Sequence, residues 1–176
     1  MRKSIAVDMD GVLADVEAHF LSWYERDYKV KMKREDLYGK KEEEAFPEKG
    51  IVKKFASSPG FFQTVPVMPG ALDALEKLRE KYEIYIVSAA MEFPQSLTEK
   101  KQWLEDNFPY ISWKNIIFCG DKSIIDTDYM IDDHPKNLDF FKGETIMFHA
   151  FHNVEYDHHR RVNNWEEVTD LLLGSE

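Results

Sequence analysis

"SIAVDMDGVLAD", residues 4–15, decides how the chain is read. Its apolar start, Ile5-Ala6-Val7, lacks the in-out alternation of a half-exposed strand, as expected of a strand buried on both faces of a parallel sheet. The run ends in Asp8, Asp10 and Asp15 around Gly11, like charges that repel one another unless something positive sits among them. Four further short runs follow at residues 84–87 (IYIV), 116–118 (IIF), 129–131 (YMI) and 145–148 (TIMF). Helical patterns alternate with them. "PGALDALEKLREKY" spaces Leu72, Leu75 and Leu78 along a helix, "SLTEKKQWLEDNF" starts with Ser96 and Glu99 in capping-box spacing, and "NWEEVTDLLLG" runs from Asn164 to a stop at Gly174. Strand and helix in turn imply right-handed crossovers and an α/β, Rossmann-like, doubly wound parallel sheet.

Residues 16–66 break this rhythm. They hold amphipathic helical patterns ("EAHFLSWYERDY", "GIVKKFASS"), a charge run and many aromatics, but no central strand. The expected organisation is an α/β catalytic core of residues 1–15 and 67–176, with a small helical cap of residues 16–66 inserted after the first strand. Such an insertion would sit above the carboxyl ends of the strands, where open α/β sheets bind ligands.

The 176 residues carry a net charge of -10, which argues against a nucleic-acid polymer or an anionic membrane surface as partner. The single cysteine, Cys119, excludes an intrachain disulfide and a four-cysteine zinc site. The first apolar run is cut short by Asp8, too early for a signal peptide or a membrane span, so the chain reads as soluble and cytoplasmic.

Each strand is followed by a polar residue: Asp8 and Asp10, then Ser88, then Lys122 after the third, then Asp132 and Asp133. In a parallel sheet these groups converge on one crevice. Four carboxylates there require a counter-charge, and an all-oxygen donor set selects a hard cation such as Mg²⁺. A cation beside Lys122 and the Ser88 hydroxyl would suit a phosphoryl group. One aspartate could attack phosphorus, and another two residues on could protonate the leaving oxygen and then activate water.

"DMDGVLAD" resembles the first motif of the haloacid dehalogenase superfamily, and Ser88, Lys122 and "IDDHP" match its later motifs in order. More narrowly, the chain is similar to the 5'(3')-deoxyribonucleotidases of that superfamily, on "DMDGVLAD" with Glu17 and Phe20, "GFFQTVPVMPGA", "DKS", "IDDHP" and "FHN". The resemblance implies Mg²⁺-dependent hydrolysis of nucleoside monophosphates, or of another small phosphate ester, through an aspartyl-phosphate. It implies Asp8 as nucleophile and metal ligand, Asp10 as acid/base with its backbone carbonyl on the metal, and Ser88 and Lys122 on the phosphoryl group. It further implies that Asp132 and Asp133 would complete the metal site. The position after Ser88 is Ala89 where relatives commonly carry a second phosphate-binding hydroxyl. Phe61 and Phe62, which fall in the matching stretch, are the expected base-stacking aromatics, with Tyr38 and Phe55 weaker choices, and a homodimer is the candidate assembly.

Competing readings fit less well. A signalling receiver domain has its acidic pair first and its phospho-acceptor later, the reverse of this order. A non-catalytic nucleotide-binding module would be expected to have lost Asp8 or Asp10. Asp15 reads as a helix start rather than a ligand. His149, His152, His158 and His159 raise the question of a zinc site, but their spacing is loose and no carboxylate is fixed beside them, so none is assigned.

Overall fold

The computed structural model describes residues 2–174. Its elements, in chain order, are β1 (Ser4–Val7), α1 (Val16–Tyr28), α2 (Ile51–Ala56), α3 (Ala71–Lys81), β2 (Glu83–Ser88), α4 (Ser96–Asn107), β3 (Ile116–Phe118), β4 (Tyr129–Asp132), α5 (Pro135–Leu138), β5 (Glu144–Phe148), β6 (Arg160–Val162) and α6 (Trp165–Leu173), with short 3-10 turns between them. The six strands form one sheet in the order β3-β2-β1-β4-β5-β6, and every neighbouring pair is parallel. Five of the strands lie where the apolar runs predict. The sixth, Arg-Arg-Val, buries only Val162 and pairs only with β5, so an edge strand of this kind has no apolar run to announce it.

The strand order reverses between β1 and β4, and at such a switch point the flanking loops part to leave a crevice at the carboxyl ends. Ile5 and Val7 face one side of the sheet, where they join a continuous apolar core that includes Leu75, Trp103 and Trp165. Ala6 faces the other, against Val87, Met130 and Met147. Burial on both faces accounts for the unbroken hydrophobicity of these strands.

Residues 16–66 contain only helices and turns. They leave and rejoin the sheet through a paired neck, in which the Asp15 amide donates to the Pro66 carbonyl (2.8 Å) and the Met68 amide to that of Leu13 (2.7 Å). Tyr24, Phe46, Phe55 and Phe61 of this segment belong to the same apolar core as β1. Asp15 caps α1 as expected, its carboxylate accepting from the Ala18 amide at 3.1 Å. Arg34 bonds the same carboxylate at 2.5 Å, fastening the turn after α1 to the helix start.

The capping box expected at Ser96 does not form. Gln95 occupies the cap position, and Glu99 turns away to accept the amides of Gly60 (2.6 Å) and Phe62 (3.1 Å). Those two amides lie in a turn outside any helix, where an acceptor from another element satisfies them. Glu99 thereby ties α4 to the turn that closes the helical segment. Among the described residues no helix is long and apolar enough to cross a membrane.

Candidate active site

The crevice at the switch point is built from the ends of β1, β2 and β4. The backbone turns sharply after Asp8. Gly11 makes this possible twice over: its φ is +79°, and a Cβ there would lie 2.3 Å from Asp133 Oδ2. Only glycine satisfies both conditions.

Asp8 is buried, and its Oδ1 accepts the Met9 amide at 2.7 Å and lies 2.7 Å from Lys122 Nζ. Lys122 Nζ is also 2.7 Å from Asp132 Oδ2, so one buried ammonium is shared between two carboxylates. Burial disfavours that ammonium, but Asp132 and Asp8 outweigh burial and hold it firmly charged. For Asp8 the balance runs the other way. Burial pushes its carboxyl well above the usual range and Asp132, Asp133 and Asp10 add to the push, against Lys122 alone. A second positive charge would keep this carboxylate ionised.

The two aspartates after β4 differ. Asp132 is saturated: Oδ1 accepts the His134 amide (2.8 Å) and Asn137 Nδ2 (3.0 Å), and Oδ2 takes Lys122 and Asn137. Asp133 is clamped on one side only. His152 Nε2 stands 3.0 Å from its Oδ2, and Asn153 Nδ2 donates to its backbone carbonyl at 2.7 Å. Asn153 is itself held by Arg161, whose Nη1 donates to Asn153 Oδ1 at 2.7 Å. Asp133 Oδ1 is left buried with no hydrogen-bond partner among the described residues, as is Asp10 Oδ1. Burial opposes ionisation of Asp133, but His134 and His152 prevail and its carboxyl is held at about 2. Buried carboxylate oxygens without donors are costly unless a cation completes them. Asp8, Asp132 and Asp133 present oxygens within 4.8 Å of one another, and with Asp132 saturated it is the oxygens of Asp8 and Asp133 that fit a hard divalent ion.

Ser88 is fully buried at the end of β2. Its hydroxyl lies 3.1 Å from Lys100 Nζ, and the same ammonium is ion-paired to Asp10 Oδ2 and stands 4.3 Å from the centre of the Phe62 ring. Lys100 was not among the residues expected here. It comes from α4, one turn before Trp103, and a lysine on the same stripe as a buried tryptophan was the available signal, since such a residue needs a buried partner. Ala89 continues the chain out of β2 and contributes a backbone carbonyl to the turn, accepting from Glu92 N at 3.2 Å. Cys119 lies beside Ser88, its amide donating to the Ser88 carbonyl at 3.0 Å.

The expected stacking aromatics separate into three situations. Phe61 is wholly enclosed by His19, Phe20, Trp23 and Phe62, with ring centres 4.7 to 5.1 Å away, so it offers no free face; it is core. Phe55 is likewise buried, edge-on to Trp23. Phe62 is almost buried but underlies Lys100 at the crevice. Tyr38 is exposed and lines a cleft, together with Val16, Arg34 and His149, that opens onto Asp133. The sequence pattern did not separate these cases because aromatic residues of a small apolar core and of a ligand platform look alike until packing is known.

The family model described as 5' nucleotidase, deoxy (pyrimidine), cytosolic type C protein matches residues 2–176. A Staphylococcus aureus protein named "Putative 5'(3')-deoxyribonucleotidase" is 41% identical over 175 residues, covering 99% of this chain and 97% of its own. A Bacillus subtilis protein named 5'(3')-deoxyribonucleotidase is 35% identical over 182 residues, covering 98% of this chain and all of its own. Among solved structures, a haloacid dehalogenase family hydrolase from Deinococcus radiodurans with bound phosphate and sodium superimposes with a TM-score of 0.65 at 13% identity, over 97% of this chain and 95% of that one. At that identity the likeness concerns the fold.

Proposed function

The chain belongs to the 5' nucleotidase, deoxy (pyrimidine), cytosolic type C family, and from that premise we propose that it hydrolyses deoxyribonucleoside monophosphates through an aspartyl-phosphate on Asp8. The observation that carries the reading is the pair of unpartnered buried oxygens, Asp10 Oδ1 and Asp133 Oδ1, flanking a buried Asp8 beside Lys122. Helical residues 16–66 form the cap over the catalytic α/β core.

Asp8, the backbone carbonyl of Asp10 and Asp133 would hold Mg²⁺. Asp132, with both oxygens already engaged, anchors Lys122 rather than completing the metal shell. When bound, the cation neutralises phosphoryl oxygens and keeps the Asp8 carboxylate ionised. Asp8 attacks phosphorus, the bond to the ester oxygen breaks, and Asp10, which enters this step protonated while Lys100 pairs with the phosphoryl oxygens, gives its proton to that leaving oxygen. Asp10 then takes a proton from water as the water attacks the aspartyl-phosphate, and Asp8 is released. Lys122 and Lys100 balance the charge on the transferring group, and the Ser88 hydroxyl donates to one of its oxygens. Phe62 and Tyr38 bound the nucleoside from the cap side.

The test is phosphate release in the presence of Mg²⁺ from deoxyribonucleoside and ribonucleoside 5'- and 3'-monophosphates, sugar phosphates and an aryl phosphate, with Asp8→Asn alongside. Turnover of the deoxyribonucleotides, abolished in Asp8→Asn, is expected. Sugar phosphates as the only substrates would overturn the substrate class, and full turnover by Asp8→Asn would overturn the covalent route.

A further inference from the structure

Among the described residues, two histidine-carboxylate clusters occur besides the Asp8, Asp132 and Asp133 group. One, Glu42 with His134 and His152, adjoins the crevice, and its His152 Nε2 is already engaged by Asp133, so it belongs to the active site. The other lies at the opposite ends of the strands. Asp139 follows α5, and His158 and His159 immediately precede the edge strand β6. The Nε2 atoms of both histidines lie 2.9 Å from the same oxygen, Asp139 Oδ1, and the three ligand atoms are all within 4.8 Å of one another.

We propose that Asp139, His158 and His159 form a surface site for a divalent transition-metal ion of the Zn²⁺ class, separate from the carboxylate crevice. Two imidazoles and one carboxylate supply three of four tetrahedral positions, and water takes the fourth. The nitrogen-rich donor set prefers Zn²⁺, Co²⁺ or Ni²⁺ to Mg²⁺, which keeps it chemically distinct from the all-oxygen set of Asp8, Asp10 and Asp133. His159 is mostly buried while His158 and Asp139 are about half exposed, so one ligand is fixed and the ion has an open approach.

The surroundings of His159 support ligation. Its Nδ1 lies 3.0 Å from Thr145 Oγ1 on β5. A neutral imidazole carries one N–H, and when Nε2 gives its lone pair to a metal the proton resides on Nδ1. Thr145 Oγ1 then accepts that N–H, the outer hydrogen bond that orients metal-bound histidines. Binding replaces the two contacts now converging on Asp139 Oδ1 with metal bonds of about 2.0 to 2.2 Å, which needs only small side-chain shifts. The ion would join the segment after α5 to the edge strand β6, which otherwise pairs on one side only.

The experiment is calorimetric titration with Zn²⁺ near neutral pH in excess Mg²⁺, on the whole chain. Wild type is expected to bind one Zn²⁺ that the His158→Ala/His159→Ala double variant does not, with Thr145→Val weakening that binding about tenfold or more. Co²⁺ should give wild type a visible absorption band of tetrahedral intensity that Asp139→Asn lacks. Melting curves without Zn²⁺ establish that each variant is folded. Equal Zn²⁺ stoichiometry and affinity in wild type and double variant would overturn the proposal, as would binding that survives in the double variant but disappears in His152→Leu.

Discussion

Replacing His152 should weaken metal binding while leaving the chemistry intact. Asp133 has one oxygen clamped by His152 Nε2 at 3.0 Å and the other buried without a donor. Removing the clamp, as in His152→Leu, frees the carboxylate to rotate and leaves Oδ2 short of a donor in a buried place. A hydrogen bond to a charged group contributes about 1.5 to 3 kcal/mol. At 1.36 kcal/mol per decade this corresponds to about 10- to 100-fold in Mg²⁺ affinity, the range typical of outer-shell partners. The Asn153 bond to the Asp133 carbonyl persists in the variant, so the main chain stays in place and the defect is one of side-chain orientation. The assay is phosphate release as a function of Mg²⁺, with melting curves run in parallel. Half-saturating Mg²⁺ should rise by that factor, kcat at saturating Mg²⁺ should return close to wild type, and His152→Gln, which retains a donor, should recover part of the loss. An unchanged Mg²⁺ requirement in folded His152→Leu would refute the clamp. A kcat that no amount of Mg²⁺ restores would instead place His152 in the chemical step.

Lys100→Met preserves length and apolar stem but removes the ammonium bound to Asp10 and Ser88; kcat should fall by about 10²- to 10³-fold with the protein still folded, as judged by circular dichroism and steady-state kinetics. Gly11→Ala places a methyl 2.3 Å from Asp133 Oδ2 at a backbone angle that alone costs an L-residue about 1 to 2 kcal/mol, so activity and Mg²⁺-dependent thermal stabilisation should both be lost. Glu99→Ala removes the acceptor of the Gly60 and Phe62 amides and should lower unfolding free energy by about 1 to 3 kcal/mol in a urea titration. Tyr38→Ala, at an exposed position lining the cleft, should raise KM for a deoxyribonucleotide with little change in kcat, whereas Phe61→Ala should instead lower stability by about 3 to 5 kcal/mol.

Much of the architecture was legible along the chain because its causes are local. Strands buried on both faces must be apolar throughout, helices between them must carry a stripe, and a turn from β1 into a crowded site must use Gly11. Since the strands are parallel, residues just past their ends fall at one edge of the sheet, and Asp8, Asp10, Ser88, Lys122, Asp132 and Asp133 could be grouped from order alone. Tertiary structure alone decided what each of these touches. Asp132 and Asp133 are neighbours in sequence, yet one is saturated by Lys122 and Asn137 and the other keeps a free oxygen, because the strand end points their side chains to different surroundings. Lys100, Glu99 and the meeting of Asp139 with His158 and His159 depend on contacts across 12 to 90 residues of chain, between elements whose mutual approach is set by how the core packs. Such contacts leave no spacing signature. The chain order carries the list of chemical groups, and packing assigns their partners.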